Sequence, residues 1–213
     1  MLWHKLQGAG VPSGGGASIV QHSIGSLSTN PSVTTPSGLA NGNLLVLTGA
    51  ISASSWNDLN TDLSTQSLTL QNTFASDSNP SVFVATRVID GGEAASYSLT
   101  SSGNNGRLAI MEIDGTFDVC GISDKTAVAL TYNITGITVS NSNSLLVAIG
   151  GIGHDDTLTM PSGMTSQFNT SSDNVDPTLA VSYETVESGD TGVRTISRTV
   201  TSGGLGGVMF AVF

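Results

Sequence analysis

The chain has 213 residues, of which 16 are acidic and 6 are lysine or arginine, so its formal net charge is −10. Binding to DNA or RNA requires clustered basic residues, and this charge argues against a nucleic-acid partner. Charged residues make up only 10% of the chain, and Gly, Ser, Thr and Asn interrupt nearly every stretch, as is typical of short strands joined by turns. The composition predicts an all-β protein without long helices.

The single cysteine, Cys120, cannot form an internal disulfide, so we expect assembly in a reducing cytoplasm. The N-terminal residues lack an apolar core of signal-peptide length. Nowhere does the chain contain the run of about eighteen apolar residues that a membrane-spanning helix needs. We therefore expect neither secretion through a signal peptide nor contact with a membrane.

Residues 1–18 differ in composition from the rest of the chain. Trp3 and Leu6 belong to an amphipathic start, and glycines follow from Gly8 and Gly10 onward. Glycine-rich backbone loses much entropy when it is ordered, which is typical of an extended arm. We predict an N-terminal attachment arm over these residues, in which Trp3, Leu6, Gly8 and Gly10 dock on a partner protein.

From residue 19 to residue 213 the chain alternates between strand and turn patterns. The segment 44–51 is a short, continuous apolar run, which predicts a strand covered on both faces. Further along, Val82, Val84 and Val88 share one parity, which predicts a half-buried strand. Asn-Gly and Asp-Gly pairs between such segments predict tight turns.

The strongest pattern in the sequence is an internal repeat. The apolar run 44–51 recurs at 145–152, and the proline that opens a strand at Pro80 recurs at Pro177. Two copies with the same strand order can each supply a sheet whose inward face buries the other. The pattern predicts a single antiparallel, jelly-roll-like β-sandwich made of two related halves.

The predicted sandwich covers residues 19–213, and its two copies lie at about 33–118 and 134–213. The alternative arrangement has two separate domains of about a hundred residues, a size that can fold alone. Their junction would lie near residues 121–125. The absence of a linker composition there favours one sandwich.

A resemblance to a known family emerges from several segments. The segments that carry it are Pro36–Val46, Thr86–Thr100, Ala109–Gly115, Met160–Met164 and Glu187–Gly192. Together they resemble β-sandwich modules of bacteriophage and prophage virion proteins, of the head decoration, fibre or knob type. The likeness runs from about residue 30 to the end and rests on turn glycines and strand hydrophobics. It implies a location in the virion, without separating head from tail.

The resemblance also implies partners. Virion components occupy symmetric positions, so we expect contacts with other virion proteins and a homo-oligomer, for which a trimer is one arrangement. The family's modules usually carry a Pro-x-Gly-Trp turn, whereas Met164 stands at that place here. This departure weakens the transfer of a sugar-stacking surface from the family to this chain.

Two short segments contain chemistry of interest. Trp56 with Asn57 and Asp58 could form a platform for a host surface glycan, because an aromatic face stacks on sugars and polar neighbours bind their hydroxyls. The alternative is that Trp56 caps the sandwich.

His154, Asp155 and Asp156 carry the ligand types of a divalent-cation site. Adjacent strand residues point to opposite faces, which makes joint ligation awkward. A solvated turn is the favoured interpretation of this segment, so no metal is predicted.

No nucleophile, zinc-protease or phosphate-loop motif occurs in the sequence. A polysaccharide depolymerase needs two carboxylates about 5 to 9.5 Å apart. Glu93, Glu112, Asp114 and Glu184 are candidates only because they are acidic, and Glu93 is better explained as a turn residue. We expect no catalytic residues, no enzymatic activity and no cofactor.

Three functions remain open on the sequence alone. They are a head decoration or other accessory virion protein, a receptor-binding fibre or knob protein, and a carbohydrate-active enzyme. The arm, the small size and the acidity favour the first.

Overall fold

The structure is a computed structural model that describes residues 16–52, 58–73, 81–101, 104–121, 124–126, 129–154, 156–170, 177–200 and 204–213. These residues form eighteen short strands and one helix, so the predicted all-β class is confirmed. The elements of the first half are β1 (Ser18–Ile24), β2 (Ser32–Thr34), β3 (Leu44–Ile51), α1 (Leu59–Thr65), β4 (Thr69–Thr73), β5 (Ser81–Val88), β6 (Ser96–Ser98) and β7 (Gly106–Asp114). Those of the second half are β8 (Phe117–Cys120), β9 (Asp124–Thr126), β10 (Thr131–Ile134), β11 (Thr138–Val139), β12 (Ser144–Ile152), β13 (Leu158–Thr159), β14 (Thr165–Asn169), β15 (Thr178–Val186), β16 (Gly189–Asp190), β17 (Arg194–Arg198) and β18 (Leu205–Val212).

Two antiparallel sheets form the centre of the molecule. The first has five strands in the order β1-β7-β3-β5-β4. The second has the order β14-β15-β12-β18-β8, with β9 also paired to β18. The rings of His22 in β1 and Phe168 in β14 stack with centroids 5.4 Å apart, and Asn72 in β4 donates a hydrogen bond to the carbonyl of Gly121 after β8. The sheets therefore face each other, with β1 opposite β14 and β4 opposite β8.

Each sheet contributes its inward side chains to one shared apolar core. Val46 of β3 and Met111 of β7 come from the first sheet, and Val147 of β12 and Phe210 of β18 come from the second. All four side chains are fully buried. Burial of apolar surface at about 25 cal/mol per Å² makes this shared interior the main favourable contribution to folding.

The outer faces of both sheets are covered as well. Leu63 of α1 and Tyr97 of β6 close a second apolar cluster over the first sheet. Ile134 of β10 and Ile196 of β17 close a third cluster over the second sheet. This coverage on both faces explains the continuous apolar runs at 44–51 and 145–152. The strands predicted from those runs, β3 and β12, are buried along their whole length.

The prediction of a half-buried strand around Val82, Val84 and Val88 is wrong. Residues 81–86 of β5 are buried on both faces, because α1 and its neighbours cover the side that the pattern left open. Val88 lies beyond that covered part and is 62% exposed.

Both sheets have the same strand order, and the positions of their residues correspond one to one. The three central strands are β7, β3 and β5 in the first sheet and β18, β12 and β15 in the second. The residues aligned across them are Ala109, Thr48 and Val84 in the first sheet and Val208, Ile149 and Val181 in the second.

The edge strands preserve the same correspondence, including their irregularities. The pairing of β1 with β7 shifts register at Val20, and the pairing of β8 with β18 shifts at Asp118. Likewise, β4 shifts at Gln71 and β14 at Gln167. Because β-bulges are specific local features, their recurrence at equivalent places shows that the halves are structural copies from β1 and β8 onward. The boundaries predicted for the arm and for the repeat stay predictions.

The sandwich has two distinct ends. Gly16, the first described residue, lies against the backbone of Asn143, and Thr116 exchanges two backbone hydrogen bonds with Phe213, of 2.6 and 2.9 Å. We call this the arm end. At the opposite end, which we call the cleft end, lie Gly25 and Arg107. The eight residues of β3 separate the two ends by about 26 Å, at about 3.3 Å per residue.

Candidate functional site

The cleft end contains a cleft of about 460 Å³ between β1, β7 and the segment after β14. Its lining combines the polar residues Arg107, Asn169 and Ser26 with the apolar residues Ile24 and Leu27. The side chain of Arg107 enters from a buried strand, so that residue is only 6% exposed. Such a mixed lining can bind a ligand that combines hydroxyl or acidic groups with an apolar face.

The polar groups of the cleft are held by the fold. Asn169 donates a hydrogen bond of 2.6 Å from its amide to the carbonyl oxygen of Leu158. The hydroxyl group of Thr170 accepts from the N–H of Leu179 at 2.9 Å and lies 3.1 Å from the carbonyl oxygen of the same residue. This side of the cleft is therefore preorganised.

The arm end contains a smaller groove of about 250 Å³. Leu44, Thr86 and Val88 form one wall, and Gly115 and Phe117 form the other. The surface of the groove is mostly apolar, and Thr69, Arg87 and Thr116 complete its lining.

Asp156, one of the three residues of the metal hypothesis, has a structural role. It accepts hydrogen bonds from the N–H groups of Thr157 and Val200, at 2.6 and 2.9 Å, and from the hydroxyl group of Thr199. Burial raises the pKa of this carboxyl, but these hydrogen bonds outweigh it, so the pKa lies below its usual range. Asp156 thereby ties the segment after β17 to the turn before β13.

The metal hypothesis itself stays untested, because Asp155 lies outside the described residues. The backbone carbonyl of His154 accepts a hydrogen bond of 3.0 Å from the N–H of Asp156, as in a tight turn. Within the described part of the chain, no three His, Cys, Asp or Glu side chains are grouped as a metal site requires.

Most of the predicted partner and glycan contacts cannot be placed. Trp3, Leu6, Gly8 and Gly10 lie outside the described residues, and so do Trp56 and Asn57. Asp58 is exposed and stands directly before α1, with a left-handed backbone at φ 47°. The arm and the glycan platform therefore stay predictions.

Most of the acidic residues that a depolymerase could use support local structure. Glu93 is a turn residue, as predicted, since it accepts from the N–H groups of Asp90 and Gly91 at 3.0 Å. Glu184 pairs with the guanidinium group of Arg194 through contacts of 2.7 Å. Asp114 is exposed at the end of β7.

Glu112 is 1% exposed and accepts three hydrogen bonds. Its position in β7 faces the outer layer, where it holds the segment between β2 and β3. The second sheet has Ala211 at the equivalent position, so this buried carboxylate belongs to the first half only.

Cys120 is half-buried in β8, and burial raises the pKa of its thiol to about 12. The thiol therefore stays protonated at neutral pH and has little nucleophilic character.

The cleft and the groove are the features that the sequence did not predict. The cleft brings together Ile24, Arg107 and Asn169, which are widely separated along the chain. No linear motif connects them. The repeat does contain a signal for the groove, because Thr86 and Tyr183 stand at equivalent positions and differ greatly in size.

No family model matches the chain, and no curated protein or solved structure matches it either. The single helix in the described part of the chain, α1, is too short and too polar to cross a membrane. The geometry of the two ends therefore provides the evidence on function.

Proposed function

We propose that this chain is a non-enzymatic structural protein of a bacteriophage particle, an accessory or decoration protein attached through its N-terminal arm. The observation that carries the proposal is the position of Gly16 at the arm end, about 26 Å from the cleft end by the length of β3. Residues 1–15 join the sandwich there. An arm attached at this end leaves the opposite end directed away from its support.

The architecture suits a protein that is displayed in many copies. Both faces of each central sheet are covered, so the hydrophobic runs of β3 and β12 contribute no exposed surface. The net charge of −10 opposes nonspecific aggregation at high copy number. A stable, acidic body with an attachment segment at one end supports the accessory role.

The proposal is tested by measuring the copy number of the protein in purified particles. Particles are assembled with the complete chain or with a variant that lacks residues 8–16, and the protein is quantified against the major capsid protein. We expect a fixed stoichiometry for the complete chain and its loss for the deletion variant, with both proteins equally soluble and folded. A chain that is missing from purified particles in both cases would falsify the virion role.

The cleft supports a second candidate, a tail-fibre or knob protein that contacts host surface glycans. Its observation is the combination of Arg107 and Asn169 with the apolar Ile24, a lining that can bind the hydroxyl and acidic groups of a sugar. Binding of the protein to host cells, compared between the wild type and Ser26→Trp, which places a bulky ring in the cleft, tests this role. Unchanged binding by the variant rejects the cleft as the receptor site.

A further inference from the structure

Thr86 and Tyr183 occupy equivalent positions in the two sheets. Thr86 in β5 pairs with Val46 on one side and Thr69 on the other. Tyr183 in β15 pairs with Val147 and Thr165 in the same way. Both side chains point inward, toward the shared core. The same place in the sandwich therefore holds an aromatic ring in the second half and a small side chain in the first.

The size difference explains the groove at the arm end. In the second half the side chain of Tyr183 is partly buried and packs against the shared core. In the first half Thr86 fills only part of the corresponding space, and its hydroxyl group is held by the side-chain amide of Gln71 at 2.7 Å. The unfilled part is the groove of about 250 Å³.

The walls of the groove suit an aromatic side chain. Leu44 and Val88 supply aliphatic surface, and Phe117 supplies a ring whose position is fixed by stacking on Phe210, with centroids 6.2 Å apart. Val88 is 62% exposed, so an occupant would remove its apolar surface from water. Tyr183 shows that the fold accommodates a ring at this position.

The N-terminal segment reaches the sandwich beside this groove. A Cβ placed on Gly115, which lines the groove, would lie 2.9 Å from the Cβ of Ala17. Trp3 precedes Gly16 by thirteen residues, a stretch that spans up to about 43 Å when extended. A short glycine-rich connection keeps the effective concentration of such a side chain near the millimolar range. Trp3 is therefore within easy reach of its own groove.

We infer that the groove at the arm end binds the indole ring of Trp3 from the same chain. The ring takes the place that Tyr183 takes in the second half, against Phe117 and Val88. This inference goes beyond the proposed function, because it describes the isolated protein, in which no partner binds the arm.

The experiment measures the accessibility of Trp3 to a soluble quencher. The substitution Trp56→Phe leaves Trp3 as the single tryptophan, and acrylamide quenching of its fluorescence reports exposure. In this background Thr86→Tyr fills the groove with the side chain that the second half carries. Thr185→Tyr is the matched control, because it adds the same side chain at an exposed position of β15, near the same end.

We expect Trp3 to be quenched several-fold less in the parent and in Thr185→Tyr than in Thr86→Tyr, with a blue-shifted emission that Thr86→Tyr abolishes. If Thr86→Tyr fails to fold, Val88→Asp at the exposed rim serves instead and gives the same release. Equal, high quenching in all folded proteins overturns the inference. Protection that disappears on dilution also overturns it, because the occupant would then be the arm of a second copy.

Discussion

Replacing Glu112 tests how the first half holds its outer layer. One carboxylate oxygen accepts from the N–H of Ala40 at 2.8 Å and from the amide of Asn43 at 2.7 Å, and the other accepts from the amide of Gln21 at 2.6 Å. These donors come from β1 and from the segment between β2 and β3. Glu112→Ala removes all three bonds at once, whereas Glu112→Gln keeps the shape and removes the charge.

The expected cost follows from the number of bonds and the exposure of the donors. A hydrogen bond to a charged acceptor contributes about 1.5–3 kcal/mol. Ala40 is exposed and Gln21 is half-buried, so their donors regain water when the carboxylate is removed, which lowers the total to about 3 kcal/mol. Glu112→Gln should cost only about 1 kcal/mol, because the oxygen of the new amide can still accept hydrogen bonds from Ala40 and Asn43. The side-chain amide of Gln21 can rotate so that its oxygen accepts a hydrogen bond from the new NH2 group.

Thermal unfolding measures both substitutions. For a chain of this size, 3 kcal/mol corresponds to a fall in Tm of about 6–12 °C. Amide hydrogen exchange should show lost protection at Ala40 in Glu112→Ala alone. The control is Asp114→Ala, an exposed acidic residue on the same strand, which should leave Tm unchanged. A Glu112→Ala variant as stable as the wild type, or a Glu112→Gln variant equally damaged, would show that the three bonds do not hold this layer.

Three further predictions concern single positions. Gly49→Ala should destabilise the fold by about 1–3 kcal/mol, because the added Cβ would lie 2.7 Å from the backbone carbonyl oxygen of Arg107. The equivalent substitution Gly150→Ala should change the urea midpoint little, because its Cβ would meet only the ends of side chains, at 3.1 Å. Equal losses of stability in the two variants would refute this explanation. The lowered pKa of Asp156 means that its carboxylate stabilises the fold above the usual aspartate range near 3.9 and that this contribution is lost as pH falls through the folded pKa. Asp156→Asn should therefore lower the urea midpoint at pH 7, with a difference from the wild type that shrinks below about pH 4; a difference independent of pH contradicts this account. Cys120, with its pKa raised to about 12, should resist a thiol reagent at pH 7 until the protein is unfolded in urea, and rapid labelling of the folded protein would show an accessible thiolate.

The sequence predicted the fold class and the core strands well, because both follow from local pattern. Continuous apolar runs at 44–51 and 145–152 correctly predicted strands covered on both faces. The alternation around Val82 and Val84 predicted only one buried face, since the residues that cover the other face come from distant segments such as α1. The alternation of apolar and polar residues within one strand gives no information about which distant segments cover it.

The candidate sites were much less predictable. The cleft depends on Arg107, which is distant in sequence from Ile24 and Asn169. The pairing of β1 with β7 brings Arg107 close to Ile24, and the packing of the two sheets adds Asn169 from β14. The groove can be recognised only by comparing the two halves, because it arises where the first half has the small residue Thr86. A small side chain at one strand position has no chemical signature in a sequence.

The most direct test of the account is a cryo-electron microscopy map of the intact particle, at a resolution that allows the sandwich to be fitted as a rigid body. The proposed function predicts copies on the particle surface, with Gly16 and the arm end toward the particle and the cleft at Arg107 facing outward. Copies fitted with the cleft end toward the particle, or a particle without density for the sandwich, would contradict it.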